Sequence, residues 1–200
     1  RAGTLSTPNG TIPTPVFMPV GTQGTVKGII PRDLQETVRA SIILGNTYHL
    51  RLRPGHDLVK ERGGLGPFMN WSGPVLTDSG GFQVYSLAKL RQIADEGVTF
   101  RSHLDGTQLF LGPREAIEIQ DALRSDIAMC LDECPPADAK NNEIEDAVRR
   151  TSHWAEECKR AWLDTAAPNE GRLLFGIAQG GRFEALRLRS AAELVEIDFP

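Results

Sequence analysis

Four short apolar runs, each broken off by a polar residue, do most to limit what this chain can fold into. Ser41-Ile42-Ile43-Leu44-Gly45 ends at Asn46, Pro74-Val75-Leu76-Thr77 at Asp78, Asp126-Ile127-Ala128-Met129-Cys130-Leu131 at Asp132, and Arg172-Leu173-Leu174-Phe175-Gly176-Ile177-Ala178 at Gln179. Runs of this kind, apolar throughout rather than alternating, are buried on both faces, as parallel strands are. Helical segments separate them. Pro31 to Val38 opens with proline in its first turn, Pro54 to Arg62 is closed by Gly63-Gly64, and further helices are expected from Pro113 to about Arg124, Asn141 to Thr165 and Phe183 to Val195. In the longest, Ile144, Ala147, Val148, Thr151, Trp154, Ala155, Cys158 and Trp162 recur at three and four, so this face, with Trp154 and Trp162, belongs in a core. A first strand is expected around Thr14 to Val20, and Glu196 to Pro200 reads as the opening of another. Val98 to Leu104 and Thr107 to Leu111 alternate around Asp105-Gly106, the signal of a two-residue type I′ hairpin.

Strand and helix in alternation predict an α/β fold with a parallel sheet. A doubly wound sheet usually carries one dominant glycine-rich phosphate loop. No Gly-x-Gly-x-x-Gly opens this chain, and its polar strand ends are spread over several strands, which favours a TIM (β/α)8 barrel. A complete barrel takes ~250 residues. With 200 residues, 40% of them hydrophobic, the expectation is a partial barrel: residues 1–200 as the N-terminal portion of a single catalytic domain, with a hairpin inserted at about 98–111.

The formal net charge of −4 gives no electrostatic case for a nucleic-acid partner, although 17 Arg against 5 Lys favours groups suited to bidentate contacts. Cys130, Cys134 and Cys158 match neither an even disulfide framework nor a zinc knuckle, and read as reduced thiols. No segment has the length and apolarity of a membrane span, nor do the first residues look like a leader, so a cytoplasmic location is expected.

The chemistry concentrates at the strand ends. Asp78 is followed by Ser79-Gly80-Gly81, where glycine lets backbone approach a ligand more closely than any Cβ would permit. That presentation suits a catalytic acid, yet an aspartate after a strand is also a common helix cap, and for Asp78 and Asp132 alike both readings stand. Gln179, before Gly180-Gly181, reads equally as a loop amide. Asn46 and His49 read as structural, bonding neighbouring loops, and Cys134 as packing or a pocket wall.

Phe17-Met18-Pro19-Val20-Gly21-Thr22, Leu44-Gly45-Asn46-Thr47-Tyr48-His49-Leu50 with Arg53-Pro54-Gly55, Thr77-Asp78-Ser79-Gly80-Gly81-Phe82-Gln83, Leu131-Asp132-Glu133-Cys134 and Gly176-Ile177-Ala178-Gln179-Gly180-Gly181 resemble the tRNA-guanine transglycosylase family, in family order and over nearly the whole chain. The Asp132-Glu133-Cys134-Pro135 form is closest to the bacterial branch. The resemblance implies a barrel enzyme that exchanges guanine at the wobble position of tRNAs with a GUN anticodon for a 7-deazaguanine base, either preQ1 or queuine, on the way to queuosine. It implies Asp78 as the acid/base, Asp132 reading the donor edge of guanine, Gln179 reading its carbonyl, Ser79, Gly80 and Gly81 lining the pocket, and Phe82 stacking on the purine. The family often has tyrosine at Phe82; losing the hydroxyl keeps the stacking, worth about 1–3 kcal/mol. The covalent aspartate nucleophile, the ligands of a structural zinc and most of the tRNA-contacting surface are expected beyond residue 200, so no metal site is expected in this chain. A homodimer is implied for the whole protein.

These residue types suit the reaction. Base exchange at ribose C1′ passes through an oxocarbenium-like centre and needs one carboxylate at that carbon and another group to manage the proton of the base. A carboxylate accepts from paired donors such as guanine N1 and its amine, while an amide donates to O6. A Schiff-base aldolase would need a lysine at a strand end, but Lys27, Lys60, Lys89, Lys140 and Lys159 fall in expected loops or helices. A metal hydrolase would need clustered ligands, and the four histidines stand apart. A carboxylate-pair glycosidase and a noncatalytic subunit of the same barrel family remain as alternatives. The leading reading requires Asp78, Asp132 and Gln179 to serve one flat purine.

Overall fold

The computed structural model describes residues 2–87 and 91–199, so Lys89 and Pro200 lie outside the described residues. The chain divides into two compact units, Arg1–Asp78 with Glu118–Ala128 and Thr165–Leu173, and Ser79–Ile117 with Met129–Asp164 and Leu174–Pro200.

In the first unit, β1 (Gly3–Thr7) and β2 (Gly10–Thr14) pair as an antiparallel hairpin, Gly3 opposite Thr14 and Thr7 opposite Gly10. The strand expected over Thr14 to Val20 is therefore corrected: Thr14 ends the hairpin and only Val20–Gly21 forms β3. Pro15 and Pro19 each lack the N–H that a ladder needs. Next come α1 (Pro31–Glu36), β4 (Ile43–Gly45), α2 (Thr47–Leu52), α3 (His56–Glu61), α4 (Leu65–Met69) and β5 (Val75–Thr77). β3, β4 and β5 pair in parallel, Val20 with Leu44 and Ile43 with Val75, and β5 then pairs with the start of β9 (Ile127–Met129), Leu76 opposite Ile127. The start of β10 (Leu173–Phe175) adds alongside, where the Leu173 amide donates to the Asp126 carbonyl at 2.8 Å, and the parallel sheet has the order β10-β9-β5-β4-β3. Ile43, Val75, Leu76 and Ile127 are buried, as continuous apolar strands should be. At the amino ends of the strands, buried Asp126 accepts from Asn9 N (3.1 Å), Asn9 Nδ2 (3.0 Å) and Val75 N (2.8 Å), tying the hairpin to β5.

The second unit contains α5 (Gly81–Leu87), then β6 (Arg91–Ala94), β7 (Gly97–Arg101) and β8 (Gln108–Leu111) in an antiparallel sheet. The hairpin of β7 and β8 is present, with Val98 opposite Leu111, but the two-residue turn is not. Pairing ends at Arg101 and Gln108, the Ser102 amide donates to the Thr107 carbonyl, and Asp105 turns its carboxylate onto the Thr107 amide (3.1 Å) and hydroxyl (2.9 Å). That local bonding by Asp105 favours a longer loop. The tight turn lies one hairpin earlier, at Asp95-Glu96 between Ala94 and Gly97.

The helix α6 (Pro113–Ala122) starts in the second unit and ends in the first. In α7 (Asn141–Leu163) all eight residues of the expected stripe are buried, joined by Ala161. α8 (Glu184–Ile197) runs through Glu196 and Ile197, so the strand expected there is corrected: Lys159 Nζ donates to the carbonyls of Ile197 (2.5 Å) and Asp198 (3.1 Å) and satisfies the end of the helix. No helix among the described residues is long and apolar enough to cross a membrane.

Candidate base-reading and acid/base sites

Each of the four polar residues expected at a strand end follows its strand, at different distances. Asn46 and Asp78 come directly after β4 and β5, Asp132 three residues after β9, and Gln179 four after β10. The last strand stops early at Gly176, where a Cβ would stand 2.8 Å from Leu194 and 2.9 Å from Phe199.

In the first unit, half-buried Asp78 stands at the start of α2. Its Oδ2 accepts from Asn46 Nδ2 (2.5 Å), its Oδ1 from Thr47 N (3.0 Å), and its carbonyl from Thr47 Oγ1 (2.5 Å). Asn46 is also the cap of α2, its Oδ1 accepting from His49 N at 3.0 Å. Asp78 thus takes a first-turn amide from a helix that precedes it in sequence, while the capping itself falls to Asn46. Two donors fix the direction of the carboxylate. Sequence reasoning misses Thr47 as a partner of Asp78. Its position directly after a strand-ending asparagine is the one signal that could have found it.

In the second unit, Asp132 is 9% exposed. Its Oδ1 accepts from Ser79 Oγ at 2.9 Å and its Oδ2 from Gln179 Nε2 at 2.8 Å. Burial pushes the Asp132 carboxyl up from its ordinary range, against the two hydrogen bonds, which pull it down. Ser79 Oγ in turn accepts from Gly81 N at 3.2 Å, and the Gln179 backbone amide is anchored by Ser190 Oγ at 3.0 Å. Gly81 is a contact point: a Cβ there would lie 2.5 Å from the Asp132 carbonyl oxygen. Gly80 makes its turn at φ 81°, and its carbonyl accepts from Val84 N at the start of α5. Phe82 is 57% exposed.

Asp132, Gln179, Ser79 and Gly81 therefore form one bonded cluster in their unit, and Asp78 forms another with Asn46 and Thr47 in its own. The cysteines are free: Cys130 and Cys158 are buried, and the half-buried Cys134 thiol is pushed up by burial and then by the Asp132 charge. Among the described residues no three His, Cys, Asp or Glu side chains gather to hold a metal, so the residues present do not fit a zinc site.

Comparison with known proteins places the chain in a family. The model of the queuine tRNA-ribosyltransferase family matches residues 1–200. Queuine tRNA-ribosyltransferases of Halalkalibacterium halodurans, Anoxybacillus flavithermus and Moorella thermoacetica are 57%, 58% and 58% identical to it over 200 residues, all of this chain and 52% of each of those proteins. The chain thus spans about half the length of the curated relatives it matches. With its whole length matched by the family model, the chain belongs to the queuine tRNA-ribosyltransferase family.

Proposed function

We propose that this chain carries the base-recognition and acid/base residues of a tRNA-guanine transglycosylase, a pentosyltransferase that replaces guanine at the wobble position of GUN-anticodon tRNAs with preQ1 or queuine. The observation that carries this reading is the Asp132 carboxylate, buried yet bonded to a hydroxyl and an amide that a ligand can replace. Guanine offers adjacent donors at N1 and the exocyclic amine, matching the two oxygens of Asp132, and O6 accepts from the Gln179 amide once that amide leaves Asp132. Phe82 supplies the stacking face. Asp78, oriented by Asn46 and Thr47, takes the N9 proton of the incoming base as the bond from N9 to C1′ forms, in balance with the proton delivered to the departing guanine.

The parallel sheet is, in this proposal, part of a (β/α)8 barrel into which the antiparallel strands are inserted, and residues 1–200 form the N-terminal portion of that single domain. The names of the relatives support the activity, and the proposal assigns the nucleophile, the zinc ligands, the dimer contacts and a cytoplasmic location to the whole protein.

The test uses the full-length parent protein and a tRNA with guanine at the wobble position. Wild type incorporates labelled guanine, Asp78→Asn binds guanine without incorporating it, and Asp132→Asn loses guanine binding. Release of base with water as acceptor and no incorporation would instead make the protein a glycosidase. The 200 residues alone are expected not to incorporate guanine, and measurable incorporation would overturn that assignment of the nucleophile.

A further inference from the structure

We propose that Arg150 is a positioning residue for the base-reading carboxylate, holding Glu133, and through it Asp132, against the turn of β6 and β7. The proposal rests on the reading of Asp132 given above. Asp132 lies in a stretch, residues 130–136, that has no regular structure, so no ladder or helix sets where its oxygens stand. The next residue, Glu133, is held twice. Its amide donates to Thr151 Oγ1 at 3.0 Å, and its Oε2 accepts from Arg150 Nη1. Both partners are consecutive residues of α7, a 23-residue helix with a buried face.

The ion pair is shielded, with side-chain exposures of 16% for Arg150 and 14% for Glu133. Arg150 is itself oriented, since its Nε reaches Asp95 Oδ1 at 3.3 Å. Asp95 is fixed in turn by Arg149 Nη2 at 2.9 Å and, through its carbonyl, by Trp154 Nε1 at 2.6 Å. A planar guanidinium engaging two carboxylates at once passes the rigidity of the hairpin and α7 to Glu133, one peptide bond from Asp132. Thr151, counted by periodicity as part of the core stripe, has its hydroxyl in this clamp.

The experiment compares guanine with hypoxanthine, which lacks the exocyclic amine and so one of the two donors that Asp132 accepts. The hypoxanthine Ki and the guanine KM are measured on full-length wild type, Asp132→Asn, Arg150→Met and Arg150→Lys. Arg150→Met is expected to raise the guanine KM about 10-fold, less than the ~10²-fold that a full ångström of misplacement can cost, and to narrow the hypoxanthine-to-guanine ratio by a similar factor. Arg150→Lys keeps the charge without the fork and restores part of the ratio. A general loosening of the fold would lower the melting temperature and leave the ratio alone, and that result overturns the proposal. If Asp132→Asn also leaves the ratio unchanged, the base-reading assignment falls and takes this proposal with it; if Asp132→Asn collapses the ratio and Arg150→Met does not, only Arg150 loses its role. Should Arg150→Met fail to fold, the nearly isosteric Glu133→Gln takes its place, with the same two outcomes.

Discussion

Gly81→Ala asks how tightly the Asp132 cluster is built. The added methyl would lie 2.5 Å from the Asp132 carbonyl oxygen, 3.0 Å from its Oδ1 and 3.2 Å from Ser79 Oγ. Carbon to oxygen contacts settle at about 3.3 Å or more, so the Asp132 backbone has to retreat by about 0.8 Å. Gly81 does not have a positive φ, so alanine meets no backbone strain there and the cost is steric. Overpacking of this kind costs about 1–3 kcal/mol, and for a chain of this size each kcal/mol lowers the melting temperature by about 2–4 °C. The retreat also moves the Asp132 oxygens to which the proposed function assigns the base, and a displacement near 1 Å costs about 10²-fold in a positioned reaction. Melting of the 200-residue chain reads the first effect, and guanine KM in the full-length protein reads the second. Gly106→Ala is the control. Gly106 has φ 75° and open space for 4 Å around the position a methyl would take, so the substitution strains the backbone without touching Asp132 and leaves guanine KM unchanged. If Gly81→Ala matches wild type in both melting and guanine KM, the close approach inferred between Gly81 and Asp132 is wrong.

Because burial raises the Asp132 pKa, its neutral form favours the fold; that contribution is full below the unfolded value of about 3.9 and is lost as pH rises through the folded pKa. Asp132→Asn should therefore melt at or above wild type at pH 7, with its advantage shrinking as pH falls through the folded pKa toward about 4 and levelling off below that, and an advantage that grows in acid would contradict the sign. Asp126→Ala removes the acceptor of three hydrogen bonds, at about 1.5–3 kcal/mol for each bond to a charged group before non-additivity, so it should lower the urea midpoint by an amount equivalent to at least about 3 kcal/mol. An unchanged midpoint would show that the hairpin is held by something else. Asn46→Ala leaves Asp78 with Thr47 but without its side-chain amide donor, and is expected to lower kcat about 10-fold or more while guanine binding holds; equal losses in both would mean that Asn46 serves the fold alone.

The elements legible in the sequence are those whose signal is local. The stripe of α7 lies within 19 residues, from Ile144 to Trp162, and every member is buried as periodicity requires. The strands ending near Asn46 and Asp78 announce themselves as unbroken apolar runs, and β-type runs that are buried on both faces do pair in parallel. Short elements are harder to read. α2, α4 and β6 have six, five and four residues, too few to show a period, and α2 starts immediately at Thr47, where the sequence suggests only a strand end. The hairpin of β1 and β2 turns at Pro8-Asn9 and carries only Leu5 and Ile12 as larger apolar residues, so its pattern is faint even though Ile12 is 1% exposed.

The candidate site divides along the same line. Which residue types stand after the strands is local information, and it is enough to make Asp78, Asp132 and Gln179 candidates beside their capping and loop-amide readings. Their partners are not local: Asn46 and Thr47 reach Asp78 across 32 and 31 residues, Ser79 reaches Asp132 across 53, and Gln179 reaches it across 47. A hydroxyl or amide that meets a carboxylate through folding leaves no periodic trace, because any exposed serine or glutamine looks the same in one dimension. Asp132 shows why this matters for function. Its burial would make a lone carboxylate costly, and the donors from Ser79 and Gln179 offset part of that cost, pulling against the upward push of burial on its pKa. In the proposed function a base that brings two donors of its own takes over that compensation, so the distant contacts that the sequence conceals are the ones the proposal needs the base to replace.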